Sequence, residues 1–209
     1  MFGARTFAIA AAGVTMLFAA LSANSATVSR QFDGNDCSGY FGTGFDSCTI
    51  FVNSGGETIE LSPVIAKYEA DLSLDEVNNT VFPTIDGTEF TFSNLGTDNS
   101  TGDFLYTKDD LFDPGTRYWA TKASDGFILF WEVDDSAVAG GGVCDVADVY
   151  NLACLDAALE VTSGSWTTID DKELSHITFY DTAIIPVPAA VWLFGSALGL
   201  LGWVRRRGI

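Results

Sequence analysis

Phe127-Ile128-Leu129-Phe130-Trp131 is the stretch of sequence that decides the fold. Five consecutive apolar residues in an extended strand place hydrophobic side chains on both faces, because successive residues point to opposite sides. A strand of this kind is typical of the interior of a sheet that is covered on both faces. The sequence therefore predicts a central strand here.

Short segments rich in aromatic and β-branched residues lie on both sides of this strand, and clusters of Gly, Asp, Asn and Pro separate them. In 89–93 the alternation places Phe90 and Phe92 on one face. This pattern predicts an all-β domain, an antiparallel β-sandwich, with the jelly-roll among the topologies that fit. The predicted strands are 47–52, 64–70, 89–93, 104–107, 117–123, 127–133, 158–162, 165–169 and 174–180, and a helix is predicted over 145–155.

The N-terminus has the pattern of a secretory signal peptide over 1–26. Arg5 supplies a sparse positive region, 7–21 an apolar core, and 23–26 the small residues that signal peptidase prefers. We expect cleavage between Ala23 and Thr27. An uncleaved signal anchor is the alternative, although the apolar core is short for a membrane span.

The C-terminus, 184–209, has the pattern of a membrane-spanning helix. Residues 184–204 carry no charge, which is close to the length needed to cross a bilayer. Three arginines follow and should stay on the cytoplasmic side, so the sequence before the span lies outside the cytoplasm. Residues 27–183 then form the exported domain, with a size suited to one core.

The exported domain is strongly acidic. Arg5 and the three arginines of the tail lie outside 27–183, so six of the ten basic residues and all 28 acids remain, a net charge of −22. Nucleic acid is excluded as a partner because phosphate contacts require basic patches. An acidic surface favours solubility and diffuse attraction of divalent cations.

Four cysteines are present as two close pairs, Cys37 with Cys48 and Cys144 with Cys154. An exported chain meets an oxidising compartment, so disulfides are expected. Three connectivities are open, and the local pairing is the simplest. A metal site is the weaker alternative, since neither pair has the C-x-x-C spacing.

The tail resembles the PEP-CTERM class of sorting signals, in its Val-Pro-Leu-Pro-Ala variant. The matching residues run from Ile185 to Ser196, and Val187 stands where the name-giving motif has glutamate. Residues 174–180 also look like the last strand before such tails. The residues that carry the motif are Pro186, Val187, Pro188, Ala189, Arg205, Arg206 and Arg207.

This resemblance implies an exported protein of a Gram-negative bacterium that makes exopolysaccharide. Its partners would be signal peptidase and an exosortase that cuts near Pro186–Pro188, and its tail would anchor it in the inner membrane before processing. The expected destination is the cell surface or the extracellular matrix of a biofilm. There the chain would act without catalysis, and a carbohydrate-binding module or a secreted glycoside hydrolase are the alternatives.

Gly195 and Gly199 form a G-x-x-x-G pair, and Gly202 continues the same helical face. Small residues in this spacing let another helix approach closely. One hypothesis is that the face docks against helices of the processing enzyme. The alternative is that small residues simply occur in a transient anchor.

Few residues indicate a reaction. The only histidine, His176, lies in a predicted strand on the face of Thr178 and Tyr180, where a structural role is favoured over a catalytic one. The acidic loops 98–103 and 109–113 could bind calcium, although neither fits the calcium-loop template, and no other cofactor is expected. Four aromatic residues are candidates for stacking on sugars if they are exposed: Tyr118, Trp119, Trp131 and Trp166.

Overall fold

The computed structural model describes residues 24–182, and strands dominate this part of the chain. Every strand pair in it is antiparallel. The prediction of an all-β domain is therefore confirmed. The strands are β1 (Ser25–Asp33), β2 (Thr49–Ser54), β3 (Glu57–Glu69), β4 (Leu74–Val77), β5 (Phe90–Ser93), β6 (Thr101–Tyr106), β7 (Thr116–Ala123), β8 (Gly126–Asp134), β9 (Ser163–Thr167) and β10 (His176–Asp181).

The strands form two sheets. The larger has the order β1-β8-β7-β10-β3-β2, and the smaller has the order β5-β6-β9. β2 pairs with residues 57–63 of β3, whereas β4 pairs with residues 66–68, so the two short strands follow one another along one edge. The β2–β3 hairpin turns at Gly55 and Gly56, which both have positive φ, as a tight two-residue hairpin turn requires.

β8 contains the stretch Phe127–Trp131, and its predicted interior position is confirmed. It pairs with β1 on one edge and with β7 on the other. Phe127, Leu129 and Trp131 pack into one core, while Phe130 packs into a second core on the opposite face. Both faces of this strand are therefore covered by protein.

The core between the two sheets is mostly aromatic. Trp119 of β7 stacks on Phe130, with 5.7 Å between ring centroids, and meets Phe104 of β6 edge-on at 5.2 Å. The indole Nε1 of Trp119 donates a hydrogen bond to the carbonyl of Ser165 in β9 at 3.0 Å. A Cβ at Gly164 would lie 3.0 Å from the Trp119 ring of the opposite sheet and 2.7 Å from the Phe104 ring, so glycine permits the two sheets to approach this closely. Trp119 thus joins the two sheets directly.

The core that contains Phe127, Leu129 and Trp131 lies on the other face of the larger sheet. It is covered by β2 and by two irregular segments, 34–48 and 135–162, rather than by a further sheet. The second segment contains α1 (Asp135–Val138) and α2 (Leu152–Asp156). The hydroxyl of Tyr118 in β7 donates to the carbonyl of Leu155 at 2.8 Å, which ties α2 to the sheet.

Two predicted elements are wrong. The strand over 158–162 does not form, and Val161 makes only an isolated bridge to Thr116. The helix over 145–155 is reduced to α2, because the side chain of Asn151 accepts the N–H of Cys154 and starts the helix there. β1 and β4 were not predicted. β1 takes its first residues from the stretch assigned to the signal peptide, and β4 is short and acidic.

Both disulfides have the local pairing, Cys37 with Cys48 and Cys144 with Cys154. The sequence separations are 11 and 10 residues. Closing a loop of this size stabilises a domain by about 2–3 kcal/mol. Disulfides are typical of proteins that reside in oxidising compartments.

Most of the signal peptide and all of the tail lie outside the described residues. Within residues 24–182, no helix is both long enough and apolar enough to span a bilayer. The predicted residues that fall outside are those of the sorting motif and the glycine face: Pro186, Val187, Pro188, Ala189, Gly195, Gly199, Gly202, Arg205, Arg206 and Arg207.

Candidate functional site

The two disulfide-closed loops meet beside β1. The Cys37–Cys48 loop carries Tyr40, and the Cys144–Cys154 loop carries Tyr150. Their ring centroids are 6.2 Å apart, and Phe32 of β1 lies against both, at 4.6 Å from Tyr40 and 4.9 Å from Tyr150. Each disulfide therefore fixes a loop that places one tyrosine at the same point on the surface.

These rings border a surface depression of about 520 Å³. This volume lies within the range of small-ligand sites, about 300–1,000 Å³. Tyr40 is 40% exposed, so one ring is open to a ligand. The lining combines aromatic rings with a few polar groups and consists of Arg30, Gln31, Phe32, Asp33, Tyr40, Asp148 and Tyr150.

The two tyrosines are held in different ways. The ring of Tyr40 stacks on Phe51 of β2, with centroids 5.9 Å apart and planes 7° from parallel. The hydroxyl of Tyr150 donates to the carbonyl of Phe51, so this side chain is fixed at both ends. Tyr150 is thus held rigidly, while Tyr40 stays partly exposed.

The polar groups of the depression are available to a ligand. Arg30 and Asp148 lie 3.6 Å apart, and both side chains are substantially exposed. Such a pair contributes no more than about 1 kcal/mol, so a ligand can replace it at little cost. Partial burial raises the pKa of Tyr40 and outweighs the opposing charge of Arg30, while Asp148 adds a smaller increase. Its hydroxyl therefore remains a hydrogen-bond donor at neutral pH.

Asp36 fastens the first loop to the larger sheet. Its carboxylate is buried and accepts hydrogen bonds from His176 Nε2 at 2.8 Å, Thr178 Oγ1 at 2.7 Å and the Tyr180 hydroxyl at 3.4 Å. All three donors stand on one face of β10, as the alternation predicted. The Tyr180 hydroxyl also lies 3.6 Å from the sulfurs of Cys37 and Cys48. The loop that carries Tyr40 is therefore anchored at its disulfide.

This environment keeps Asp36 ionised. Burial raises the pKa of its carboxyl, but the hydrogen bonds from His176 and Thr178 and the charge of His176 outweigh burial and lower the pKa below its ordinary value. Because an ionised carboxylate can only accept hydrogen bonds, Nε2 of His176 carries the proton in this contact.

His176 accordingly has a structural role. Its hydrogen bond to Asp36 is the only side-chain hydrogen bond it makes within residues 24–182. A Ser-His-Asp mechanism also requires a nucleophile bonded to the second ring nitrogen. The pair instead holds the first loop against β10.

The four aromatic residues proposed for sugar stacking are not exposed. Tyr118, Trp119, Trp131 and Trp166 are all buried in the two cores. The aromatic residues at the depression are instead Tyr40 and Tyr150, which were not predicted from the sequence. One signal could have indicated them, since each lies between the cysteines of a predicted disulfide.

One of the two acidic loops contributes to a cluster of carboxylates. Oxygens of Glu89, Asp109 and Asp113 lie within 4.8 Å of one another. Among the described residues, the loop over 98–103 joins no such group; its Asp103 accepts the amide of Asn94 at 2.5 Å instead. Glu89, which ends the segment before β5, was not predicted to take part.

Comparisons with known proteins found no match for this chain, whether among protein-family models, curated proteins or solved structures. Function is therefore inferred from the geometry and chemistry of the sites themselves.

Proposed function

We propose that this chain is an exported protein that binds carbohydrate in the depression beneath Tyr40. The observation that carries the proposal is the meeting of two disulfide-closed loops, each of which supplies one tyrosine to a single polar-edged depression. Rigid loops reduce the entropy lost when a ligand binds, and they are characteristic of preorganised binding sites.

The lining suits a sugar ring. The C–H face of a pyranose is apolar and packs on an aromatic ring, while its hydroxyls need donors and acceptors around the edge. The open ring of Tyr40 supplies the first contact. Arg30 supplies donors, Gln31 both donors and acceptors, and Asp33 and Asp148 acceptors, all along the rim of the depression.

The charge of the domain favours a neutral polysaccharide. The exported domain has a net charge of −22, and two of the seven lining residues are carboxylates. A polyuronic acid would be repelled by this field, whereas a neutral glycan would not. The ligand class we propose is therefore an uncharged polysaccharide, such as a neutral extracellular polymer made by the host.

The second part of the proposal is that the domain is exported. The signal-peptide pattern predicts export across the inner membrane and cleavage by signal peptidase, and the tail predicts cleavage by an exosortase. Two disulfides agree with an oxidising destination. β1 begins at Ser25, and the carbonyl of Asn24 already accepts the N–H of Asp135. Cleavage after Ala23 would leave both the β1–β8 pairing and the hydrogen bond between Asn24 and Asp135 intact. The released domain would then bind exopolysaccharide at the cell surface.

We propose binding without catalysis. Glycoside hydrolysis uses two carboxyl groups on opposite sides of the scissile bond. The depression has two carboxylates, Asp33 and Asp148, but Asp148 already pairs with Arg30 at 3.6 Å. The carboxylates that converge, Glu89, Asp109 and Asp113, do not line the depression. The site that fits a sugar and the cluster that holds several acids are therefore separate.

Replacing Tyr40 by alanine is expected to weaken binding of the host's extracellular polysaccharide about tenfold or more. The change removes the exposed stacking surface, and a tenfold loss corresponds to about 1.4 kcal/mol. Isothermal titration calorimetry with the purified neutral polysaccharide measures the effect.

Two further variants test the interpretation. Tyr40→Phe keeps the ring and should stay within about threefold of the wild type if stacking dominates. Phe112→Ala removes an aromatic ring that is 82% exposed but lies outside the depression, and it should bind normally. Equal binding by Tyr40→Ala and Phe112→Ala would contradict the assignment of the site.

A further inference from the structure

Three carboxylates from two separate segments converge at the edge of the smaller sheet. Glu89 immediately precedes β5, whereas Asp109 and Asp113 lie in the connection from β6 to β7. The N–H of Thr107 donates to the carbonyl of Glu89 at 2.8 Å and holds the two segments together. The three side chains bring oxygens within 4.8 Å of one another.

Two of the three are buried. Glu89 is 2% exposed and Asp113 is 6% exposed. Both oxygens of Glu89 accept backbone N–H groups, from Asp86 at 3.0 Å and from Gly87 at 2.8 Å. Oδ2 of Asp113 accepts the N–H groups of Asp109 and Asp110, each at 2.9 Å. The backbone therefore holds these carboxylates in fixed positions.

Two buried oxygens of this cluster have no hydrogen-bond partner. Oδ1 of Asp113 and Oγ1 of Thr84 are both inaccessible, and neither forms a hydrogen bond with any residue of 24–182. The Thr84 hydroxyl lies beside this carboxylate. A carboxylate oxygen and a hydroxyl oxygen are thus buried next to each other, and neither is bonded to the backbone or to a basic side chain of these residues.

No basic side chain compensates this charge. Within residues 24–182, none of the ion pairs includes Glu89, Asp109 or Asp113, and the neighbouring Lys108 pairs with Glu160 at 2.8 Å. Buried charges in proteins are normally paired or bound to metal ions, so this cluster lacks a positive partner.

We propose that Glu89, Asp109 and Asp113 bind one calcium ion, with the Thr84 hydroxyl as a further oxygen ligand. Calcium takes six to eight oxygen ligands at about 2.3–2.6 Å, so its ligands span up to about 5 Å, which accommodates oxygens that lie within 4.8 Å of one another. The backbone contacts leave Oδ1 of Asp113 free for the ion. The site lies outside the depression and does not rest on the carbohydrate proposal.

Calorimetric titration with CaCl₂ tests this site. The protein is purified as a Gram-negative host exports it, treated with EDTA and dialysed into about 0.15 M salt, which screens diffuse attraction to the acidic surface beyond about 8 Å. We expect one saturable site per chain and binding weakened at least tenfold in Glu89→Gln. The matched control, Glu57→Gln, removes an exposed acid at the start of β3 and should bind as the wild type does. Absence of a saturable site, or equal affinities in the two variants, would overturn the proposal.

A second measurement needs no variant and covers the case in which Glu89→Gln fails to fold. The Tyr106 hydroxyl donates to the carbonyl of Pro114 at 2.7 Å, and Tyr106 pairs with Phe90, so its phenol ring lies next to the segments that carry Asp113 and Glu89. Tb³⁺ added to the wild-type protein should therefore emit on excitation of tyrosine, and Ca²⁺ should displace it with one-site stoichiometry. Calcium at about 100 times its dissociation constant should also raise the melting temperature by roughly 5–10 °C. Weak, non-saturating Tb³⁺ emission with no thermal shift would show diffuse binding only and would reject the site.

Discussion

Replacing Asp36 by alanine is expected to lower the free energy of unfolding by about 3–5 kcal/mol. The change removes one buried acceptor and leaves His176, Thr178 and Tyr180 without the partner that they share. Buried donors that lose their acceptor each carry the cost of desolvation. Urea unfolding, followed by circular dichroism at neutral pH, measures the loss.

Asp46→Ala is the matched control for this variant. Asp46 lies within the disulfide-closed loop that Asp36 precedes but is exposed, so its removal should change stability by less than about 0.5 kcal/mol. Asp36→Asn retains the size of the side chain and one acceptor oxygen and should fall between the two. A loss below about 1 kcal/mol in Asp36→Ala would contradict the anchoring role of this residue.

The contribution of Asp36 should depend on pH in a defined direction. Its folded-state pKa is lowered below the ordinary value of 3.8, so the folded chain binds the proton less readily than the unfolded chain does. The stabilisation is therefore fully present well above pH 3.8 and is lost as the pH falls through the lower, folded-state pKa. The difference between the wild type and Asp36→Asn should shrink over that acid range.

Replacing Trp119 by alanine is expected to cost a similar amount, about 3–5 kcal/mol. The residue is fully buried, stacks on Phe130 and donates its indole N–H to Ser165 of the opposite sheet. Its removal leaves a cavity between the sheets and an unpaired carbonyl. Unfolding in urea again gives the free energy, and a single transition shows that both sheets still unfold together.

Two variants bracket this effect. Trp119→Phe keeps most of the ring but loses the hydrogen bond, and we expect a loss of about 2 kcal/mol or less. Leu105→Ala removes a half-exposed side chain from β6 and should cost under about 1 kcal/mol. If Trp119→Ala were as stable as Leu105→Ala, the proposed contact between the sheets would be wrong.

The interior of the fold could be predicted because it depends on local patterns. The five apolar residues at 127–131 place hydrophobic side chains on both faces of the strand, and one core covers each face. Likewise, the alternation around Phe90 and Phe92 directs both rings to one core. β1 was missed for a different reason: its start overlaps the small residues that resemble a cleavage site, and sequence alone does not separate the two uses.

The candidate sites could be predicted only in part, because they depend on contacts between distant segments. The cysteine spacing suggested both loops, but not that Tyr40 and Tyr150 would lie 6.2 Å apart. Similarly, the acids of the 109–113 loop were considered for calcium, while Glu89 enters the cluster through strand pairing. Asp36 and His176 are 140 residues apart, and only the fold brings them together.

Mass spectrometry of the protein in the extracellular polysaccharide fraction and in the inner membrane, with and without the host's exosortase, tests the central claim most directly. With the enzyme present, we expect the protein in the polysaccharide fraction with a C-terminus near Pro186–Pro188 and without the three terminal arginines. Without the enzyme, the intact tail should remain in the inner membrane. An intact tail held in the inner membrane of both strains would contradict the account.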